Sequence, residues 1–203
     1  MDKCVKIHQF NWDYETLISD YQRAKLTCSP KLASRSAFHT LHILFSDRDS
    51  EFTLCDQVVG DPELKLEYDL HNDSNNTEWR DSFWKSYSAK NIRRPFRFTY
   101  TAKVISEVEQ HFAQQGKRLV DARYFFLAKS SCITVHIDSV DQFFEINHVP
   151  IQTNPHCYIV IGGEMFQMAD AGGVYKMRQD MLHAPVNFGQ TDRLQLGFKL
   201  TDI

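Results

Sequence analysis

The sequence changes in character at Gly116, and this change constrains the fold more than any other feature. Beyond it, short segments rich in Val, Ile, Phe and Tyr follow one another, separated by turn signals such as Gly162-Gly163 and Ala171-Gly172-Gly173. The predicted strands are residues 122–129, 132–136, 143–151, 156–161, 164–168, 173–177 and 193–200. Many short strands at this spacing are typical of an antiparallel double-sheet roll or barrel. The sequence therefore predicts a mainly β fold.

The first half of the chain is mixed. Residues 12–25 and 103–115 place apolar side chains at helical spacing, and Gly116 is suited to ending the second of these helices. The other predicted elements here are a loop at 70–78, a helix at 78–89 and strands at 39–46 and 52–59. We expect one structural domain, with a helical and mixed N-terminal part at 1–117 packed on a β core at 118–203.

Composition and charge exclude several classes of protein. Hydrophobic residues make up 42% of the chain, which excludes a disordered or linker-dominated protein. The 23 basic and 26 acidic residues are scattered, so no nucleic-acid partner is expected. No segment approaches the roughly 18 apolar residues of a membrane span, and the N-terminus has no apolar leader. Five cysteines without a close pair indicate reduced thiols, so we expect a soluble cytoplasmic protein without a membrane partner.

Two imidazoles and one carboxylate form the candidate metal ligands. His136 and Asp138 lie two residues apart at the end of a predicted strand, and in an extended segment such residues project to the same face. A further histidine, His183, follows in the phrase MLHAPVN. Two histidines and one carboxylate on one face of a metal, with the other positions open, are the ligand set of non-heme iron(II) oxygenases.

Arg193 follows His183 at the start of the last predicted strand. A guanidinium binds a carboxylate through two parallel hydrogen bonds, which a lysine does less specifically. Each part alone is a weak signal, since a hydrogen-bonded surface pair explains His136 and Asp138 equally well. The ordered set of His136, Asp138, His183 and Arg193 in a strand-rich region favours metal binding.

Four segments resemble the iron(II)/2-oxoglutarate dioxygenases of the aspartyl/asparaginyl β-hydroxylase-like family, which includes proline hydroxylases and other free amino-acid hydroxylases. They are HID at 136–138, INHVPIQTNPHC at 146–157, GEMFQMADAGGVYKM at 163–177 and LHAPVNFGQTDRLQL at 182–196. The resemblance covers about residues 118–202 and implies a double-stranded β-helix (cupin-type jelly roll) with flanking N-terminal helices.

The resemblance implies roles for individual residues. His136, Asp138 and His183 match the ligands of iron(II), Arg193 matches the arginine that binds 2-oxoglutarate, and His148 matches a histidine beside that co-substrate. The implied reaction consumes O2 and hydroxylates an unactivated C–H bond, releasing succinate and CO2.

The chain departs from the family at two positions and leaves the substrate open. Ile146 and Gln195 stand where the family often has Arg and His, which affects contacts to the co-substrate and substrate rather than the metal. Asp138 favours hydroxylation over halogenation, which needs that position vacant. We expect an amino acid, an amino-acid-derived metabolite or a peptide side chain as the substrate, and Arg123, on a strand before the HxD motif, is a candidate anchor for its carboxylate.

Other interpretations stay open at this point. His148 lies on an apolar strand, where a hydrogen-bonded core histidine is a real competitor to a co-substrate role. The neighbouring pair His156 and Cys157 has the chemistry of zinc ligands, but its spacing matches no familiar zinc pattern, so a buried free thiol is predicted for Cys157. For the whole chain, the alternative is a non-oxidative metal-binding cupin-like protein, acting as a sensor or an isomerase. Arg193 separates the two functions, because a site that binds only a metal has no use for this cation.

Overall fold

The computed structural model describes residues 2–28, 38–45, 91–92, 94–137 and 144–203. The strand predicted at 52–59, the loop at 70–78 and the helix at 78–89 lie outside these residues.

Two α-helices flank the sheets in the described part of the chain, α1 at Tyr14–Cys28 and α2 at Tyr100–Ala113. Asp13 begins α1, since its carboxylate accepts hydrogen bonds from the backbone N–H of Thr16 (3.1 Å) and from the Thr16 hydroxyl (2.7 Å). These hydrogen bonds stabilise the ionised carboxylate and lower the pKa of Asp13. Beyond α2, Gly116 adopts a φ of +72°, which is open to glycine at low cost. Both helices confirm the sequence-based predictions.

The strands contribute most of the regular secondary structure in the described part of the chain. A short 3-10 helix at Arg94–Phe96 precedes α2. The strands are β1 (Cys4–Gln9), β2 (Phe38–His42), β3 (Leu44–Phe45), β4 (Asn91–Ile92), β5 (Lys117–Leu127), β6 (Ser131–Cys132), β7 (Glu145–Gln152), β8 (Cys157–Ile161), β9 (Glu164–Gln167), β10 (Gly173–Met177), β11 (His183–Asn187) and β12 (Arg193–Asp202).

Two antiparallel sheets organise these strands. The main sheet has six strands in the order β1-β10-β7-β12-β5-β2, and the minor sheet has four in the order β6-β11-β8-β9. Strands β3 and β4 form a separate pair. Two of the six main-sheet strands, β1 and β2, come from the first 117 residues. The predicted double-stranded β-helix is confirmed.

The main sheet has an apolar core on each face. On its outer face, Leu194, Leu196, Phe198 and Leu200 of β12 pack in a large cluster with residues of both helices, including Leu17 and Val108. On its inner face, a smaller cluster joins the two sheets. Its buried members are Ile159, Ile161, Met168, Tyr175 and Met177.

A buried polar network ties the helices to the main sheet. The carboxylate of Asp20 in α1 accepts hydrogen bonds from the backbone N–H (2.8 Å) and the hydroxyl (3.0 Å) of Thr101 at the start of α2. The Thr101 hydroxyl in turn lies 2.8 Å from the phenol of Tyr124 in β5. Buried polar groups of this kind are stable only when they are paired, so the network holds both helices in one position on the sheet.

Three strands, β1, β4 and β11, were not predicted, and one prediction was too long. Strand β1 reads CVKIHQ and β11 reads HAPVN, and neither carries a strong strand pattern. Of the strand predicted at 132–136, only Cys132 at its start belongs to β6, and His136 forms an isolated bridge with His183. Within the described ranges, no helix combines the length and the apolar composition that crossing a membrane requires.

Phe112 gives a test of how far the outer core stabilises the fold. Its side chain is buried, with the ring centroid 5.5 Å from that of Phe198. We expect Phe112→Ala to lower the free energy of unfolding by about 3–5 kcal/mol, because the lost contacts leave a cavity. The change is measured by urea unfolding, with Glu109→Ala as the control, since Glu109 is exposed on the same helix. Equal losses in the two variants would contradict this packing.

Candidate functional site

The inner face of the main sheet carries polar and charged side chains beside its apolar cluster. In a strand, alternate residues point to opposite faces. Since the leucines of β12 pack on the helices, the alternate residues Arg193, Gln195, Gly197 and Lys199 face the minor sheet. The register places Gly197 opposite His148 of β7 and Arg123 of β5. The space between the two sheets therefore holds a group of polar and charged residues.

His136 and His183 lie side by side at the edge of this space. Each donates its backbone N–H to the carbonyl oxygen of the other, at 3.0 Å from His136 and 2.9 Å from His183. Residues paired in this way across an antiparallel bridge project to the same face. Their ring centroids are 4.3 Å apart, and His183 is 2% exposed. Two histidines that are distant in the sequence are thus brought together by strand pairing.

Hydrogen bonds to the backbone set the tautomer of both rings. His136 Nδ1 lies 2.7 Å from the carbonyl oxygen of Thr134, and His183 Nδ1 lies 3.0 Å from that of Met181. A carbonyl oxygen only accepts hydrogen bonds, so Nδ1 carries the proton in each ring. The lone pair is then on Nε2, the tautomer suited to a metal ion. The two rings therefore fit the nitrogen ligands of a metal centre.

The third predicted ligand, Asp138, lies outside the described residues. Among the residues that the structure does describe, no three His, Cys, Asp or Glu side chains are grouped for metal binding. The described part of the predicted ligand set is the pair His136 and His183.

Arg193 is a buried cation. It is 2% exposed, and its Nη1 donates a hydrogen bond to the carbonyl oxygen of Tyr158 at 3.4 Å. Nε has no hydrogen-bond partner, and no carboxylate of the described residues lies within 4.0 Å of the guanidinium. Burial lowers the pKa of Arg193 to about 10, so the side chain stays protonated at neutral pH. A buried charge without an anion is costly, and this guanidinium fits the carboxylate of a bound molecule.

His148 is buried next to these groups, 7% exposed. Burial, together with the positive charge of Arg193, lowers the pKa of His148 to about 3, so the ring is neutral at physiological pH. A positive charge on His183 would act on the pKa of His148 in the same direction. The ring lies 4.9 Å from that of Phe125, and both rings occupy the space over Gly197, where an added Cβ would lie 2.3 Å from Phe125 Cε2.

Arg123 lies on the same inner face but is held by an acidic neighbour. Its Nε and Nη2 both lie 2.8 Å from Oδ2 of Asp121, whose side chain is buried. The Lys199 amine is 3.7 Å from the same oxygen. The Arg123 side chain is 20% exposed.

Sequence reasoning did not find every polar residue of this interior. The sequence could have predicted that Lys199 lies on this face, because Lys199 follows Gly197, Gln195 and Arg193 at the period of two expected for one face of a strand. Gln179 has no such signal, since it follows β10 in an irregular segment, yet its amide reaches His148 Nε2. Cys157 is buried and free, as predicted.

Comparison with known proteins agrees with this fold. A family model described as aspartyl/asparaginyl beta-hydroxylase matches residues 55–202. The chain belongs to the aspartyl/asparaginyl β-hydroxylase family. No curated protein matches the chain.

Solved structures resemble the chain at low sequence identity. A viral collagen prolyl hydroxylase from Paramecium bursaria Chlorella virus 1, in its 2-oxoglutarate complex, is 10% identical with a TM-score of 0.50, covering 100% of this chain and 97% of that chain. An oxidoreductase of the 2OG-Fe(II) oxygenase family from Burkholderia pseudomallei is 14% identical with a TM-score of 0.44, covering 93% of this chain and 78% of that chain. A Cupin 2 conserved barrel domain protein from Salinispora arenicola is 14% identical with a TM-score of 0.32, covering 39% of this chain and 60% of that chain.

The neutrality of His148 gives a pH-dependent prediction for the metal-free protein. The pKa of His148 is lowered from the ordinary 6.5 to about 3, so between these values the unfolded chain binds a proton that the folded chain does not. The free energy of unfolding therefore falls as the pH drops below about 6.5, by at most roughly 1.4 kcal/mol per pH unit. We expect the free energy of unfolding of His148→Gln to fall less between pH 7 and pH 5 than that of the wild-type protein, as measured by urea unfolding at each pH.

The matched control is His156→Gln, because His156 is exposed. It is expected to keep the wild-type dependence on pH. Identical slopes for the wild-type protein and His148→Gln would contradict a buried neutral His148.

Proposed function

We propose that the protein is an iron(II)- and 2-oxoglutarate-dependent oxygenase that hydroxylates an unactivated C–H bond of an amino acid, an amino-acid-derived metabolite or a peptide side chain. The observation that carries this proposal is a buried, protonated Arg193 without a carboxylate partner among the described residues, in the same interior as the pair His136 and His183. A site that only binds a metal gives no reason to bury this cation. Membership of a hydroxylase family supports the same function.

The metal ligands of this proposal are His136, Asp138 and His183. His136 and His183 are proposed to bind the metal through Nε2, because the proton of each ring is on Nδ1. Asp138 is proposed from its place in the HxD motif. Iron(II) and 2-oxoglutarate, when bound, supply the oxidation of the C–H bond by O2, with succinate and CO2 as co-products.

The chain itself positions the co-substrate and excludes water. Arg193 binds the distal carboxylate of 2-oxoglutarate, and burial strengthens this ion pair by removing competing water. His148, held neutral, lies beside that carboxylate without adding a second charge to the pocket. The apolar residues between the sheets, such as Ile159 and Ile161, keep the interior dry.

Arg123 is proposed to bind a carboxylate of the substrate. The carboxylate of Asp121 fixes the Arg123 guanidinium by two contacts of 2.8 Å, which orients it at the inner face of the sheet. Lys199, near the same carboxylate, adds positive charge at this end of the interior. An amino-acid-like substrate suits this end of the site, and the proposed partner is therefore a small molecule.

The first test is an anaerobic titration of the metal-free protein with iron(II) and 2-oxoglutarate, followed by visible absorption. We expect a weak metal-to-ligand charge-transfer band that appears only with both additions, and that is lost in His183→Ala. The variant His156→Ala is the control, since His156 is exposed and away from the histidine pair, and it should keep the band.

The other outcomes of this titration separate the alternatives. Iron binding without the band would favour a non-oxidative metal-binding cupin-like protein. No iron binding by the folded wild-type protein would mean that the ordered set of His136, Asp138, His183 and Arg193 is a coincidence. With the band present, amino acids are screened for succinate release.

Arg193 gives an independent prediction. We expect Arg193→Met to leave the free energy of unfolding of the ligand-free protein unchanged or raised, because the variant removes a buried charge that lacks an anion. In the wild-type protein with Mn(II), 2-oxoglutarate at about 100 times its Kd should raise that free energy by about 2.7 kcal/mol. The variant should lose this gain, as measured by urea unfolding with and without 2-oxoglutarate.

Arg178→Met is the matched control for this experiment. Arg178 is partly exposed and paired with Asp180 on the surface, so its loss should not affect stabilisation by 2-oxoglutarate. Full stabilisation of Arg193→Met by 2-oxoglutarate would exclude Arg193 from the co-substrate site.

A further inference from the structure

Gln179 contacts His148 inside the protein, and neither residue has much solvent exposure. Gln179 Nε2 lies 3.2 Å from His148 Nε2, and both residues are 7% exposed. Gln179 lies in the segment after β10, whereas His148 lies on β7, so the contact joins this segment to the strand next to β10 in the main sheet.

The chemistry of this contact determines the tautomer of His148. The amide nitrogen of glutamine only donates hydrogen bonds, so the ring nitrogen that it contacts must accept. His148 Nε2 is therefore the unprotonated nitrogen. Because the ring is neutral, its single proton is on Nδ1.

The Nδ1–H group is buried and has no hydrogen-bond partner among the described residues. The side chain of Gln195 acts to raise the pKa of His148, against the effect of burial. It makes no hydrogen bond of normal geometry to Nδ1. A buried donor without a partner is costly. The second such donor on this inner face is Nε of Arg193, and both groups lie where 2-oxoglutarate is proposed to bind.

We propose that Gln179 is a positioning residue, which holds His148 in the Nδ1–H tautomer so that the ring donates a hydrogen bond to the bound 2-oxoglutarate beside Arg193. This inference rests on the proposed function. In the other tautomer, Nδ1 would present a lone pair toward the carboxylate and repel it. Gln179 thus acts on the co-substrate through His148, without a charge of its own.

The tautomer is measured by the ring nitrogen chemical shifts of His148 in metal-free, ligand-free protein, assigned by their loss in His148→Gln. We expect a protonated Nδ1 in the wild-type protein. Gln179→Glu replaces the donor with an acceptor, so we expect the proton to move to Nε2. Gln167→Glu is the matched control, because the exposed Gln167 amide donates to the carbonyl oxygen of Pro155 away from His148.

The second readout is the affinity for 2-oxoglutarate, measured by calorimetry with Mn(II). Gln179→Met keeps the shape of the side chain and removes the donor, so the tautomer is no longer selected. We expect it to bind 2-oxoglutarate about five- to tenfold more weakly than the wild-type protein, the equivalent of one hydrogen bond. Gln167→Glu should bind with wild-type affinity, and thermal unfolding shows that each variant is folded.

The outcomes separate failure of this inference from failure of the proposed function. A wild-type His148 with its proton on Nε2 overturns the inference. So does wild-type affinity in a folded Gln179→Met. Absence of 2-oxoglutarate binding in the wild-type protein overturns the proposed function. It also overturns the role of Gln179 toward the co-substrate, whichever tautomer His148 has.

Discussion

The buried guanidinium of Arg193 is the constraint on which the rest of the site depends. The protein accepts a cation at 2% exposure without an anionic partner in the described part of the chain, and this cost must be met by the stability of the surrounding sheet. The same charge helps to keep His148 neutral. A bound carboxylate would relieve this cost, so carboxylate binding would raise the free energy of unfolding.

The fold separates the residues that stabilise it from the residues that form the site. On β12, leucine and phenylalanine side chains pack against the two helices, while Arg193, Gln195 and Lys199 point between the sheets. The network of Asp20, Thr101 and Tyr124 then holds the helices against the outer face. Because the outer core holds the main sheet in place, the inner face carries polar groups that a core normally excludes.

Sequence reasoning succeeded where the periodic signal was strong. Helix α2 has an apolar stripe of Val104, Ile105, Val108 and Phe112, and each of these residues is buried. It failed for β1, an edge strand of the main sheet in which Val5 and Ile7 are exposed, and for β11, which contains Pro185. Proline weakens a strand prediction because it cannot donate to the ladder. In β11, long-range pairing with β8 and β6 outweighs this local preference.

The sequence by itself determined the alternation on each strand, the turn positions, the helical stripes and the order of His136, Asp138, His183 and Arg193 along the chain. These are local properties, which follow from side-chain chemistry and the geometry of extended and helical backbone. Only the tertiary structure decided that His136 and His183 form one bridge, that Arg193 is buried without a carboxylate partner among the described residues, and that Gln179 contacts His148. The reason is physical, because strand register and burial arise from pairing between segments that are distant in the chain, and no local spacing specifies them.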